Sequence, residues 1–97
     1  MRVYVAVDAE LLERLAAGER ISAPAFRAES EDEEDELAAL EEAAEHGSVV
    51  AAADVDGTDD VTLEDIASFH VDLDGTGDLA WFATQEIDAV IREAQKR

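Results

Sequence analysis

Two turn-forming segments carry the side chains that could do chemistry. Both have the pattern Asp-x-Asp-Gly-Thr, at residues 54–58 and again at 72–76, and each follows an apolar run typical of a strand. If the two strands are neighbours that end at one edge of a sheet, four carboxylates would converge there and attract a divalent cation. The candidate metal ligands are Asp54, Asp56, Asp72 and Asp74.

The same pattern resembles the first motif of the haloacid-dehalogenase phosphatases. In that family the first Asp is a nucleophile, the second is a general acid/base, and Mg²⁺ bridges the carboxylates to the phosphate. The family also needs a downstream lysine within a much larger fold, whereas the single lysine of this sequence is Lys96. The sequence therefore favours a plainer interpretation, in which Asp and Gly form turns where strands end.

The two histidines give no stronger indication of catalysis. His46 suits the end of a helix, where a cation is favoured, and Gly47 after it suits the left-handed turn that closes a helix. His70 lies on a strand whose alternate residues face the core. Neither has a second histidine at ligand spacing, and no Ser or Cys constellation points to either. We expect both to be structural.

Acidic side chains dominate the composition. The 97 residues include 26 Asp and Glu against 7 Lys and Arg, for a formal net charge of −19, and all but one of the basic residues are arginine. This balance, with an aromatic content of only 5%, predicts adaptation to concentrated salt. At about 1 M salt the Debye length falls to ~3 Å, which screens the self-repulsion of such a chain. Hydrophobic residues form 47% of the chain and fall in periodic blocks, which argues against disorder.

The sequence also argues against several classes of site and binding partner. Cysteine is missing from the sequence, which excludes disulfides, thiolate zinc sites and cysteine nucleophiles. The first apolar run is only a few residues long before Asp8, so it predicts neither a signal peptide nor a membrane span. No basic patch is present for nucleic acid, and the acidic run at 29–36 belongs to a general excess of acid. We expect a cytoplasmic protein with no cofactor, no nucleic acid and no membrane among its partners.

The periodicity predicts a single α/β (α+β) domain over residues 1–97, with one mixed sheet of four to five strands and about three packed helices. Strands are predicted at 1–7, 48–55, 69–73 and 79–83, with an edge strand or extended loop around Pro24. Helices are predicted after Asp8, after Ser30 and after Thr84. A short helical turn is predicted at 62–66, with Thr62 as its cap. In the second of these helices the expected buried stripe is Leu37, Leu40 and Ala44.

One predicted strand carries two adjacent aromatic residues, Trp81 and Phe82. Neighbouring residues on a strand point to opposite faces, so we expect one ring in the core and the other in need of cover from a helix or from a second molecule. This strand is the candidate interface.

Three blocks of the sequence resemble an uncharacterised family of small haloarchaeal and actinobacterial proteins. They are the opening MRVYV, the middle ESEDEEDELAALEEAA followed by VVAAADV, and the closing FHVDLDGTGDLAWFATQEID. The resemblance implies a single α/β domain and salt adaptation, and it implies no activity.

Two hypotheses for function follow. The first is a non-catalytic module that binds a protein partner or forms a homo-oligomer through the strand of Trp81 and Phe82. The alternative is a small hydrolase that depends on a divalent cation held by the two Asp-x-Asp-Gly-Thr turns.

Overall fold

An α+β fold of three helices, a five-stranded sheet and a two-stranded sheet accounts for the described part of the chain. It comes from a computed structural model, which describes residues 2–55, 60–73 and 75–96. The strands are β1 Arg2–Val7, β2 Ile21–Ser22, β3 Ala25–Arg27, β4 Val49–Asp54, β5 Asp60–Val61, β6 Ile66–Asp72 and β7 Leu79–Ala83. The helices are α1 Ala9–Ala16, α2 Glu33–Ala44 and α3 Ile87–Gln95. The predicted fold class is confirmed.

The large sheet has the strand order β3-β1-β4-β6-β7, and its pairings are antiparallel throughout rather than mixed. The reason lies in the crossover from β3 through α2 to β4. These two strands are parallel, but β1 is inserted between them, so each hydrogen-bonded neighbour runs the opposite way. The small sheet pairs β2 with β5.

The helices divide between the two faces of the large sheet. Helices α1 and α3 cover the face that carries Val5, Phe69 and Val71, and their own buried residues include Leu12 and Val90. Helix α2 covers the other face, which has a smaller core. That core is formed by Tyr4, Ala39, Ala43, Val50 and Ala52. Both faces of the central strands β1 and β4 are therefore buried.

Local signals in the sequence fix several element ends. The side chain of Asp8 accepts a hydrogen bond from the N–H of Leu11 at 2.9 Å and caps α1, as predicted. Gly18 ends the helix with φ +86°, a conformation that glycine adopts at no steric cost. The Asp65 carboxylate accepts from the N–H of Thr62 at 2.9 Å, which forms the expected single helical turn before β6.

Helix α2 differs from its prediction. Its buried residues are Ala39 and Ala43, whereas Leu37 is 53% exposed and the expected stripe was wrong at that position. Small residues at the contact let the helix backbone approach the sheet closely, and this contact turns Leu37 to the solvent. No helix among the described residues has the length and apolar character needed to cross a lipid bilayer.

Candidate interaction surface

Asp54 ends β4 and makes an ion pair with Arg2 at the start of β1. The guanidinium binds both carboxylate oxygens, with Nε to Oδ1 at 2.8 Å and Nη2 to Oδ2 at 3.1 Å. This hydrogen-bonded pair lowers the pKa of Asp54 below its ordinary value. A carboxylate held in this way joins two strand ends, which is a structural role.

Asp72 ends β6 and organises the turn that follows. Its Oδ1 accepts from the N–H of Gly75 at 2.8 Å, and its Oδ2 accepts from the N–H of Gly77 at 3.0 Å. Both glycines have positive φ, at 77° and 92°, as a tight turn between two strands requires. The turn interpretation of this segment therefore agrees with the structure.

The structure does not bring Asp54 and Asp72 together. Strands β4 and β6 are antiparallel, with Val49 opposite Val71. The C-terminal end of each strand therefore lies beside the N-terminal end of the other. The separation along the strands is about 20 Å, given a rise of ~3.3 Å per residue. Asp56 and Asp74 lie outside the described residues. Within the described ranges, no group of three or more His, Cys, Asp or Glu side chains is placed to hold a metal ion.

Trp81 and Phe82 point to opposite faces of β7, as the alternation predicts. Phe82 lies opposite Phe69 and packs against the larger core beside α1 and α3. Trp81 lies opposite His70 and is 63% exposed. It is the single tryptophan of the chain, and a large exposed aromatic side chain on a sheet is a feature of interaction surfaces.

Trp81 belongs to an area that we call the open sheet face. Directly opposed residues share a face, so the register places this area on the α2 side of the sheet. The packing of α2 is concentrated on β3, β1 and β4, which leaves β6 and β7 beside the helix rather than beneath it. The open sheet face consists of Ser68, His70, Asp72, Leu79, Trp81 and Ala83.

A groove of about 310 Å³ separates the open sheet face from α2. Ala44, Val50 and Leu79 form its apolar lining. Its polar lining includes His70 and three acidic residues, Glu41, Glu45 and Asp72. Its volume is at the lower end of ligand-binding clefts. The groove reaches β7 at Leu79, so a molecule that contacts Leu79 on the open sheet face can extend into it.

The edge of the sheet next to Trp81 differs from the opposite edge. Of the described strands, only β6 pairs with β7, and the register of that pairing is continuous. Strand β7 has five residues, LAWFA, without charge or proline. The other edge strand, β3, has three residues, follows Pro24 and ends in Arg27. Natural sheets protect their edges with short strands, charge, proline or bulges. Strand β3 has such protection, whereas that of β7 is limited to its last residue, where the carboxylate of Glu86 accepts a hydrogen bond from the N–H of Ala83 at 2.9 Å.

Ser68 and His70 form a pair that the sequence analysis did not anticipate. They are two residues apart on β6 and so share a face, with Ser68 Oγ 3.0 Å from His70 Nε2. The i,i+2 spacing on a strand is the signal that could have found the pair. Ser68 is only 6% exposed and Asp72 is engaged by the turn amides, so the pair satisfies a buried hydroxyl rather than presenting a nucleophile.

Comparison of the chain with protein-family models, with curated proteins and with solved structures finds no match. The resemblance to the haloarchaeal and actinobacterial family stays a prediction. What this surface can do therefore follows from its own geometry: a strand edge that is protected only at its last residue, an exposed indole and an adjoining groove.

His70 makes the stability of this region depend on pH. Burial and, to a smaller extent, the positive charge of Arg2 lower its pKa below the ordinary value of 6.5. The unfolded chain takes up a proton near pH 6.5 while the folded protein resists it, so the free energy of unfolding should fall as the pH drops below about 6.5.

The measurement for His70 is urea unfolding at fixed salt between about pH 5 and pH 7. The His70→Asn variant should show a shallower decline than the wild-type protein over this range. Equal declines in the two proteins would contradict the assignment.

Proposed function

We propose that this protein is a binding module that takes an extended polypeptide segment onto the free edge of β7. The observation that carries the proposal is the outer edge of β7, a strand without charged residues, which pairs with no strand of the described ranges and lies beside a tryptophan that is 63% exposed. Strand addition of this kind gains affinity from main-chain hydrogen bonds and specificity from the pockets that receive alternate side chains.

The edge supplies the main-chain groups. In an antiparallel pair, alternate residues direct both N–H and C=O toward the neighbouring strand, and the others direct them away. On β7 the groups that point away from β6 are therefore open to an added strand, except the N–H of Ala83, which donates to Glu86 Oε1 at 2.9 Å. The four residues before Ala83, without charge or proline, make this edge a template for pairing.

The side chains supply selectivity. An added strand would place alternate residues beside Leu79, Trp81 and Ala83 on the open sheet face. None of these carries a charge, although 34% of the chain is charged. The groove beside Leu79 has room for one further side chain. The occupant is therefore an extended segment with small or apolar side chains on one face.

Replacing Trp81 by Lys should abolish or strongly weaken binding. A lysine on an edge strand opposes strand addition, and the change also removes the aromatic contact. With an acetylated, amidated Thr-Val-Thr-Val-Thr peptide as the probe, we expect affinity at least about tenfold lower. Isothermal titration calorimetry in molar KCl is the measurement.

The matched control is Leu37→Lys. Leu37 is a large exposed apolar residue on α2, so this variant makes the same change in charge away from β7. It should bind the peptide as the wild-type protein does. A peptide with N-methylated backbone amides should not bind either protein. Equal binding by the Trp81→Lys and wild-type proteins would overturn the proposal.

A further inference from the structure

We infer that the segment received by β7 is the β7 strand of a second copy of this chain, so that two sheets join edge to edge in a two-fold dimer. This inference rests on the proposed function and names its partner. Antiparallel pairing about an axis at Trp81 would set the two indoles opposite each other, with Leu79 of each copy opposite Ala83 of the other.

The distribution of charge selects this partner. Two copies with a net charge of −19 each repel, and close contacts between carboxylates are the least screened by salt, so contact is favoured where neither copy carries carboxylates. The long uncharged runs of β1 and β4 are in the middle of the sheet and buried. The run Leu79–Ala83 lies at an edge, so it is the uncharged strand that two copies can share.

The chemistry of the strand is self-complementary. When two copies of β7 pair, the large Leu79 of each lies opposite the small Ala83 of the other, and the two Trp81 indoles face each other at the axis. The flanking acid Asp78 falls opposite Thr84 of the other copy and not opposite another carboxylate. Glu86, which accepts a hydrogen bond from the N–H of Ala83 at 2.9 Å, must release that amide for the outermost pair to form. Phe82 stays on the side of the larger core, where it already packs.

A short edge contact buries less surface than a standard stable interface. We therefore expect a dimer that dissociates on dilution, with Kd in the region of ~1 µM to ~1 mM. The single tryptophan reports directly on this equilibrium. Its emission should shift to shorter wavelength as protein concentration rises, because the second copy covers an indole that is 63% exposed in the monomer.

Engineered thiols test both the pairing and the register, since the natural chain contains no cysteine. Directly opposed residues on antiparallel strands have Cα atoms about 4.5–5.5 Å apart, within the range of a disulfide. Trp81→Cys should give a covalent dimer under mild oxidation, and Leu37→Cys should not. Leu79→Cys and Ala83→Cys should each crosslink poorly alone and efficiently when mixed.

The experiment is completed by sedimentation equilibrium of the wild-type, Trp81→Lys and Leu37→Lys proteins in molar KCl, with circular dichroism to confirm that each is folded. Dimers of the wild-type and Leu37→Lys proteins, together with a monomeric Trp81→Lys protein, support the inference. A wild-type monomer that still binds the Thr-Val-Thr-Val-Thr peptide overturns the inference and leaves the proposed function standing. A monomer that does not bind the peptide overturns both. A dimer that persists in Trp81→Lys, or that fails to crosslink in Trp81→Cys, places the contact elsewhere and also overturns the inference.

Discussion

In dilute buffer we expect this protein to lose most of its helical circular dichroism signal, and in about 1 M KCl we expect it to recover that signal. A net charge of −19 over 97 residues repels itself in the compact state. The ion pairs seen between described side chains are at the surface, for example Arg2 with Asp54 and Arg14 with Glu19. Exposed pairs contribute at most about 1 kcal/mol each, too little to offset so large an excess of acid.

Helix α2 offers a matched pair of variants for the same experiment. Glu33 and Glu34 lie in its first turn, where the helix dipole favours negative charge, whereas Glu42 and Glu45 lie at its C-terminal end, where the dipole opposes it. The double variant Glu33→Gln, Glu34→Gln and the double variant Glu42→Gln, Glu45→Gln each remove two negative charges. The C-terminal pair should lower the salt concentration at the folding midpoint more, because the dipole adds to the gain there and subtracts from it at the other end.

The measurement is a KCl titration followed by far-ultraviolet circular dichroism, with sucrose as a control for effects that are not ionic. A melting temperature indifferent to salt would contradict the interpretation of the acidic composition. Equal salt midpoints for the two double variants would contradict the dipole argument while leaving the general charge effect intact.

Replacing Gly47 by Ala should destabilise the fold by about 1–3 kcal/mol. A Cβ at this position would lie 2.9 Å from the main-chain N of Val7 and 3.0 Å from its carbonyl oxygen. These atoms belong to β1, which is buried in the middle of the sheet and cannot move aside cheaply. The change would push the end of α2 away from the sheet.

Gly18 is the matched control, because it needs glycine for a different reason. Its φ is +86° and nothing lies within 4 Å of an added Cβ. There Ala should cost about 1–2 kcal/mol for the left-handed backbone, and Asn, which tolerates that conformation, should cost less. At Gly47, Asn should be at least as harmful as Ala, because it adds bulk to a close contact. Chemical unfolding in molar salt measures all four variants, and rescue by Asn at Gly47 would contradict the steric explanation.

Local patterns in the sequence were sufficient for much of the fold. The caps at Asp8 and Thr62, the turn at Gly75 and Gly77, and the opposite orientations of Trp81 and Phe82 were all predictable. Each depends on residues close together in the chain. Their energies are set by backbone geometry and side-chain reach, and these are the same in any tertiary context.

Long-range pairing decided the rest. The two Asp-x-Asp-Gly-Thr turns look alike in sequence, but whether Asp54 and Asp72 meet depends on the direction of β4 relative to β6. Gly47 was expected at a left-handed turn, yet among the described glycines φ is positive only at positions 18, 75 and 77, and Gly47 is required by the approach of β1. Leu37 was expected in the core and is exposed.

The same division applies to the candidate interface. The sequence by itself determined that β7 is an uncharged strand whose two aromatic rings point to opposite faces. Only the tertiary structure decided that this strand is at the edge of the sheet and that α2 packs beside it rather than over it. The physical reason is that an edge and an uncovered face are defined by what other segments fail to reach, and no pattern within β7 encodes where those segments go.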